Sequence, residues 1–336
     1  MKAVGHRHAL PLSAPEALLD LELPEPVPGP HDLLVRVRAV SVNPVDTKLR
    51  GGSAPPPEQA RVLGWDAVGV VEATGPEVRR FRPGDRVFYA GAIQRPGCHS
   101  EQHLVDERIA AHAPVSLSDA DAAALPLTAI TAWELLFDRL RVSPGGGAGQ
   151  RLLVVGGAGG VGSMLIQLAR AMTELEVVAT ASRPESRDWC LALGAHAVVD
   201  HREPLDQALA QAGLAPVDLV AALTGTERHF PALVEALRPQ GALACIDDPG
   251  ALDIRAMKRK SLSFHWELMF TRPLFDTPDL ARQGALLSEV AALTDAGRLR
   301  STRQRHFGRI GAAQVREAHA WLESGRAIGK GVLEGF

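Results

Sequence analysis

The chain has 336 residues, 46% of them hydrophobic and 22% charged, which supplies a packed core and excludes disorder as the main state. Its 36 basic and 39 acidic side chains give a formal net charge of −3, so it lacks the basic surplus of a nucleic-acid or anionic-membrane binder. Three cysteines, none in a CxxC pair, cannot build a disulfide framework, and a reducing cytoplasm is the expected setting.

The N-terminus, MKAVGHRHALPLSAPEALL, has no unbroken apolar stretch leading to a small-residue cleavage site, so no secretion signal is expected. Over Leu34–Val42 the apolar phase runs through Val35 and Val37, then flips to Val40 and Val42, which predicts a strand with a bulge or an edge. Pro55-Pro56-Pro57 reads as a loop. Asp66–Ala73 and Arg86–Ala90 read as short strands, with Arg82-Pro83-Gly84-Asp85 as the turn between them. His103–Val105 is another strand. This irregular spacing predicts a small barrel-like or α+β unit. Ser118–Ala124 should be a helix capped by Ser118, with Asp121 three residues on, and Thr131–Arg139 a second helix. Pro144–Gly149 is a flexible connector.

From Arg151 the pattern changes. Leu152–Val155, Val177–Thr180, Ala197–Val199, Leu219–Ala222 and Ala242–Ile246 are short apolar runs. They are separated by helical stretches at Ser163–Met172, Glu185–Leu193, Leu205–Ala212 and His229–Leu237. Apolar strands joined by helices predict a doubly wound parallel sheet with right-handed crossovers. Leu152–Ala169 carries no charge, but its glycines divide it into strand, loop and helix rather than a membrane span. Leu262–Phe270 should add an edge strand. A helix near Gly284–Ala296, a strand at Arg305–Phe307, a helix at Ala312–Ser324 and a strand at Lys330–Leu333 close the chain.

The sharpest chemical signal is Gly157-Ala158-Gly159-Gly160-Val161-Gly162, a GxGxxG run that follows a strand and opens a helix. Gly157 allows the tight turn, Gly159 lets backbone approach a pyrophosphate, and Gly162 lets helix and strand pack closely. The helix N-terminus then offers N–H groups and a positive dipole end to phosphate. An NAD site carries an acidic residue about 20 residues past the last glycine. Here the second strand ends Thr180-Ala181-Ser182-Arg183, with no acid. Ser182 and Arg183 suit an added 2′-phosphate and favour NADPH, with Arg187 and His201 as possible additions. Glu185 is near enough to argue for NAD in a differently placed loop.

Asn43-Pro44-Val45-Asp46, Gly64-Trp65-Asp66, Pro83-Gly84-Asp85-Arg86-Val87, Leu125-Pro126-Leu127-Thr128-Ala129, the glycine turn and Gly329-Lys330-Gly331-Val332-Leu333 follow one another along nearly the whole chain. In this order they resemble the medium-chain dehydrogenase/reductase superfamily, in its quinone oxidoreductase branch, and most of all the zinc-type alcohol dehydrogenase-like subgroup. The resemblance implies a GroES-like β-rich catalytic domain from residues 1–125 and 271–336, with a Rossmann NADP(H)-binding domain, 126–270, inserted. Catalytic-zinc members carry Cys at Asn43 and Gly-His-Glu at Gly64-Trp65-Asp66; amide and indole are poor replacements for thiolate and imidazole. Cys98, Cys190 and Cys245 cannot make a four-cysteine lobe. Cys98, His99 and His103 offer an unrelated local metal site as an alternative, but Cys98 and His99, adjacent on a strand, would diverge to opposite faces, so hydrogen-bonded or exposed histidines are the expectation.

The resemblance also implies roles. Asn43 would supply uncharged donors to an acceptor, or make a local turn before Pro44. Tyr89 would donate to an enolate oxygen, or simply pack. Trp65 would wall a flat acceptor or sit in the core. Asp46 and Asp66 would orient Asn43 or a turn rather than act as acids. Thr128 would meet the nicotinamide end or cap a helix. Thr224, Ile246 and Asp247 follow the fourth and fifth strands, where ligands lie in such sheets. Lys330 would approach the cofactor phosphates. The expected activity is zinc-independent, NADPH-dependent reduction of quinones or α,β-unsaturated carbonyls by a cytoplasmic homodimer paired through Leu262–Phe270. The alternatives are a zinc-dependent alcohol dehydrogenase with unusual ligands and an NADPH-binding protein without turnover.

Overall fold

The computed structural model describes residues 1–336 and divides them into two units, Met1–Ile130 with Phe270–Phe336, and Thr131–Met269. The chain opens with β1 (Lys2–His6), β2 (Leu19–Glu22), β3 (Asp32–Val42) and helix α1 (Pro44–Gly52). Then come β4 (Arg61–Val62), β5 (Ala67–Thr74), β6 (Arg86–Tyr89), β7 (Gln102–Asp106) and β8 (Ala110–His112), followed by helices α2 (Asp119–Ala123) and α3 (Pro126–Trp133). The middle of the chain contributes β9 (Arg151–Val155), α4 (Gly160–Met172), β10 (Glu176–Thr180), α5 (Pro184–Ala192), β11 (Ala197–Val199), α6 (Leu205–Gln211), β12 (Val217–Ala222), α7 (Thr226–Ala236), β13 (Leu237–Cys245) and β14 (Ser263–Trp266). The tail adds α8 (Thr271–Phe275), α9 (Arg282–Asp295), β15 (Arg303–His306), α10 (Ala312–Glu323) and β16 (Lys330–Glu334).

In the first unit, β3 is the spine of a seven-stranded sheet. The flip in its apolar phase is a real irregularity: the β3–β5 register slips between Leu34 and Val35 and again between Val37 and Ala39. Beyond the second slip the strand is buried on both faces, so alternation gives way to a continuous buried run in which Ser41 is the one polar residue. Along its other edge β7 takes Asp32–Arg36 and β16 takes Ala39–Val42. That division of one edge brings Lys330, first residue of β16, beside the point where β3 turns into α1. Pro44 starts α1, where its missing N–H costs nothing. A separate three-stranded sheet has the order β2-β1-β4.

The second unit is the doubly wound sheet that the sequence predicts, six parallel strands in the order β11-β10-β9-β12-β13-β14. Leu152, Leu153 and Val154 on β9 are fully buried, so neighbouring residues of opposite orientation both face apolar layers. The strand order reverses at β9, and the glycine-rich turn leaves its carboxyl end.

Some local expectations change. The helix predicted over Thr131–Arg139 begins earlier, at Pro126, and its Glu134–Arg139 part is wound as π-helix. The Ser118 cap is present: its hydroxyl accepts the Asp121 N–H at 3.1 Å. The edge strand shortens to β14, because α8 starts at Thr271 after only a few extended residues. Strands β1, β2 and β4 and helix α1 were not expected; runs of two to five strand residues carry too little periodicity to be seen.

Candidate active site

Asp66, at the mouth of β5, is the centre of a buried polar cluster in the first unit. One carboxylate oxygen accepts from Ser41 Oγ and Asn43 Nδ2, both at 2.9 Å, and from Lys330 Nζ at 3.0 Å. The other oxygen accepts the Leu127 backbone N–H at 2.7 Å. Lys330 spends its remaining donors on Val42 O, at 2.9 Å, and on Asn43 Oδ1. The ammonium therefore has three acceptors for three N–H bonds, and the pair is sealed, with Asp66 fully buried and Lys330 only 3% exposed. Charge-assisted bonds in such low dielectric are strong, and removing either partner strands the other charge.

Asn43 is fixed at both ends of its amide. Its second Nδ2 hydrogen reaches Ser41 O only at 3.5 Å, which leaves it loosely held. Asp46 accepts the Asn43 backbone N–H at 2.7 Å and so closes the first turn of α1, while its other oxygen has no partner. Burial pushes the Asp46 carboxyl up to about 7, against the Asn43 hydrogen bond and the Lys330 charge, which lower it. Asp46 thus holds a proton near neutrality, beyond the orienting role the sequence suggested.

The other acceptor-side residues are also buried. Tyr89 lies on β6, and its hydroxyl meets His103 Nδ1 at 3.1 Å; the two rings stack at 5.4 Å. His103 Nε2 lies 2.9 Å from Pro96 O, a carbonyl that can only accept. The imidazole proton is therefore on Nε2, Nδ1 is the acceptor, and the Tyr89 hydroxyl donates to it. Burial holds His103 down to about 4, which keeps this arrangement neutral. The expected Tyr89 role changes accordingly: its proton is committed to His103, and burial drives its phenol well above the ordinary value. Trp65 is 1% exposed, donates Nε1–H to Ala92 O at 3.2 Å and meets Phe270 edge-on at 6.4 Å. It is a core wall, not an open face. Thr128, in the first turn of α3, donates its hydroxyl to Leu125 O at 3.0 Å, so it closes that turn rather than capping the helix by accepting an N–H. Lys330 does not reach out for phosphate, because every donor it has is used inside the cluster.

Zinc, which the superfamily implies, does not fit this donor set. At the two ligand positions Asn43 offers an amide already bonded to a lysine and a carboxylate, and Trp65 offers an indole N–H, a donor with no lone pair to give. The positive charge beside Asp66 is the Lys330 ammonium. No group of three or more His, Cys, Asp or Glu side chains gathers closely enough to hold a metal.

The glycine-rich turn of the second unit does fit a dinucleotide. Gly156, just before the motif, has φ +84°, which an L side chain rarely adopts. A Cβ on Gly157 would lie 2.7 Å from Ala179 Cβ, and one on Gly162 would lie 2.5 Å from Gly156 O and 2.6 Å from Gly157 O. At Gly159 a Cβ would meet nothing closer than 3.5 Å, so this glycine borders open space. Two glycines thus serve packing and one leaves room for a ligand. Gly159 is also the N-cap of α4 and places no side chain over the helix end formed by Gly160, Val161 and Gly162. Ala158, between the turn glycines, is buried.

Around the turn, Thr180 Oγ1 accepts the Gly156 N–H at 3.0 Å and lies 3.2 Å from His201 Nδ1. Ser182 and Arg183 are half-buried just beyond β10, and the Arg183 backbone N–H rests on Ser186 Oγ at 3.2 Å. His201 feels the charges of Arg183, Arg202 and Arg228, and its ring meets His229 edge-on at 6.4 Å. Burial first, and those cations next, hold His201 below its ordinary value, with Asp200 opposing. Arg228 and His229, at the start of α7, were not singled out in the sequence, because they lie 45 residues or so beyond Arg183 and share no motif with it. Arg187 is spent on Val198 O at 2.6 Å. Thr224 is exposed, with its methyl over Gly156. The Ile246 N–H bonds Ala222 O at 3.2 Å, and the Asp247 carboxylate caps α7 through the Thr226 N–H at 3.0 Å and its hydroxyl.

Known proteins agree with this architecture. The alcohol dehydrogenase GroES-like domain family matches residues 29–114, and the zinc-binding dehydrogenase family matches residues 193–333. A zinc-type alcohol dehydrogenase-like protein of Staphylococcus aureus is 37% identical over 99% of both chains. A Rhizobium etli CFN 42 protein, provisionally described as a zinc-dependent alcohol dehydrogenase, is 53% identical and superposes with a TM-score of 0.96 over 100% of this chain and 98% of that one. The quinone oxidoreductase of Coxiella burnetii and the mycobacterial protein Rv1454c complexed with NADPH are each 26% identical. Their TM-scores are 0.82 and 0.85, over 100% and 99% of this chain and 99% of each of theirs. Relatives aligned across the full length, with both units accounted for, place the chain in the medium-chain dehydrogenase/reductase superfamily of oxidoreductases.

Proposed function

We propose that this chain is an NADPH-dependent, zinc-independent reductase of quinones or α,β-unsaturated carbonyls. The observation that carries the reading is the Lys330–Asp66–Asn43 cluster, which puts an ammonium and an amide where a zinc enzyme needs ligands. When bound, the reduced nicotinamide supplies a hydride. A simple ketone or aldehyde concentrates the resulting charge on one oxygen and needs a strong polariser. A conjugated acceptor takes hydride at carbon and spreads the charge to a distant oxygen, so a neutral donor suffices. The loosely held Asn43 Nδ2 hydrogen is that donor in this proposal, and Lys330 and Asp66 fix its direction. The proton that completes the reduction is assigned to Asp46, which retains one near neutrality beside Asn43.

The second unit supports NADPH by what surrounds its turn. Gly159 has room for a ligand at a helix N-terminus, and the Arg183 and Arg228 guanidinium groups lie in the charge neighbourhood of His201 past β10, where a 2′-phosphate would find charge-assisted partners; Arg202 there is already paired with Asp200 at 2.5 Å. The NADPH-bound mycobacterial relative is consistent with this. For assembly we propose a homodimer paired along β14, an unpaired sheet edge that leaves Trp266 55% and Leu268 51% exposed; light scattering should give twice the chain mass.

The test is NADPH oxidation on metal-analysed protein across quinones, enones, aldehydes and ketones, with NADPH and NADH titrated separately. The expected result is turnover of conjugated acceptors only, unaffected by chelator, and tighter NADPH binding. Alcohol oxidation that a chelator abolishes would overturn the zinc-independent reading.

A further inference from the structure

We infer that the first unit contains a site for a small monovalent anion, a halide such as chloride, at the buried side chains of Arg50, His99 and His319. None of these side chains hydrogen-bonds to the Asp66 cluster. Arg50 is 3% exposed; His99 and His319 are fully buried. Among them they hold six side-chain nitrogens that have no protein partner: Nε and Nη1 of Arg50, and both ring nitrogens of each histidine. Buried polar groups are ordinarily satisfied, and a permanently charged guanidinium with two idle nitrogens is costly in a dry interior.

The fold brings these groups together. The remaining Arg50 nitrogen, Nη2, binds Glu323 at 2.5 Å, which ties α1 to α10. His319 lies four residues before Glu323, on the same face of α10 and one turn along from the carboxylate that Arg50 binds. The His99 ring lies against the backbone of Gly64, where a Cβ would come within 2.2 Å of it. The charges that bear on His319 are those of His99, Arg50, His6 and Arg316, all cationic when ionised.

The charge balance selects an anion over water. Arg316 binds only backbone carbonyls, those of Leu12, Ala14 and Pro15, and Arg61 binds the Ser53 hydroxyl. Neither has a carboxylate. The only acid in the group, Glu323, is 38% exposed in its side chain and engages a single Arg50 nitrogen. His6 donates Nδ1–H to His8 O at 3.1 Å, so its idle Nε2 is an acceptor and joins as a donor only if protonated. Arg50 Nε–H and Nη1–H, with one N–H from each neutral imidazole, make up a donor shell. Burial of all three side chains favours a monatomic ion over phosphate or sulfate.

The probe is bromide. Crystals of the full chain grown in bromide should show an anomalous peak within hydrogen-bonding reach of Arg50 Nε or Nη1 and of a His319 nitrogen. In solution, exchanging gluconate for bromide at constant ionic strength should raise the thermal midpoint by about 2–4 °C. His319→Leu should abolish that increment, and His319→Gln, which keeps a donor, should retain part of it. An ordered water without anomalous signal at this position, bromide confined to the surface, or an increment that survives in H319L would each overturn the inference. The wild-type crystal decides the matter if H319L fails to fold, and none of these readouts depends on the reaction proposed above.

Discussion

The glycine turn after β9 and the Asp66 cluster beside α1 are both candidate reaction machinery, yet they are built in opposite ways. The turn is made of backbone. Its defining residues are contiguous, and what matters is which of them lacks a Cβ. The cluster is made of side chains. Ser41 and Asn43, Asp66, Leu127 and Lys330 come from four separate segments, and what matters is that each buried charge has its counter-charge. The first should fail by crowding, the second by leaving a charge alone.

The largest effect is expected at the cluster. Asp66→Asn removes the counter-charge of a lysine that is 3% exposed, and the cost should be about 3–5 kcal/mol in urea-unfolding free energy. Lys330→Met should cost a similar amount by stranding Asp66. In the double variant neither charge of the pair remains, so it should recover more than half of the summed loss. Simple additivity of the two would mean that the ion pair is not the organising interaction, and the contrast with the turn would collapse.

At the turn, two glycines separate packing from ligand access. In Gly162→Ala the new methyl meets two carbonyl oxygens at 2.5 and 2.6 Å, so the turn must open. The expected cost is about 1–3 kcal/mol of stability, with NADPH affinity reduced at least about a hundredfold. Gly159→Ala brings its methyl into ordinary contact with Gly156 O at 3.5 Å, so nothing in the turn has to move. It should unfold within about 0.5 kcal/mol of the parent and still bind NADPH about tenfold more weakly, measured by calorimetry. Equal effects on folding at both positions would erase the distinction between them.

This difference also explains what could be read from the sequence. The turn was legible because its chemistry is local: a strand, three spaced glycines and a helix within a dozen residues. The doubly wound sheet was legible for the same reason, since each strand and helix announces its own period. The cluster was only half legible. Asn43 and Asp66 stand out as positions in the sequence, which also suggests Asp66 as a residue orienting Asn43. Lys330, though, lies 264 residues from Asp66 in the chain, and only the shared edge of β3 brings them together. A lysine in isolation reads as a surface group, so its expected partner was a phosphate. Tyr89 misled in a related way: its type suggested a proton donor, and only the His103–Pro96 contact shows where the proton is committed.

Acid should destabilise the fold through its buried histidines. Burial holds His99 and His319 to about 3 and His103 to about 4, against 6.5 for a free imidazole. Their stabilising contribution is therefore complete above about pH 6.5. It falls as the pH drops, because the unfolded chain binds protons that the folded chain refuses until pH 3–4. Three such groups give a slope of up to about 4 kcal/mol per pH unit. Asp46, raised to about 7, runs the other way: its contribution is full in acid and is lost as pH rises through 7. Urea midpoints from pH 7 to 4 should fall steeply, and a flat profile would place these imidazoles in contact with water.

The smallest effect, and the finest test of the turn, concerns the 2′-phosphate of the proposed NADPH. Arg183 is half-buried beyond β10, in the charge neighbourhood of His201, whereas Arg187 is already bound to the Val198 carbonyl. A partly exposed charge–phosphate contact is worth about 1 kcal/mol, so Arg183→Ala should weaken NADPH binding about fivefold and leave NADH unchanged. Arg187→Ala removes a carbonyl contact instead; it should lower stability and leave the preference between the two nucleotides alone. If Arg187 rather than Arg183 set that preference, the phosphate would lie toward β11, and the cationic group around His201 would need a different use.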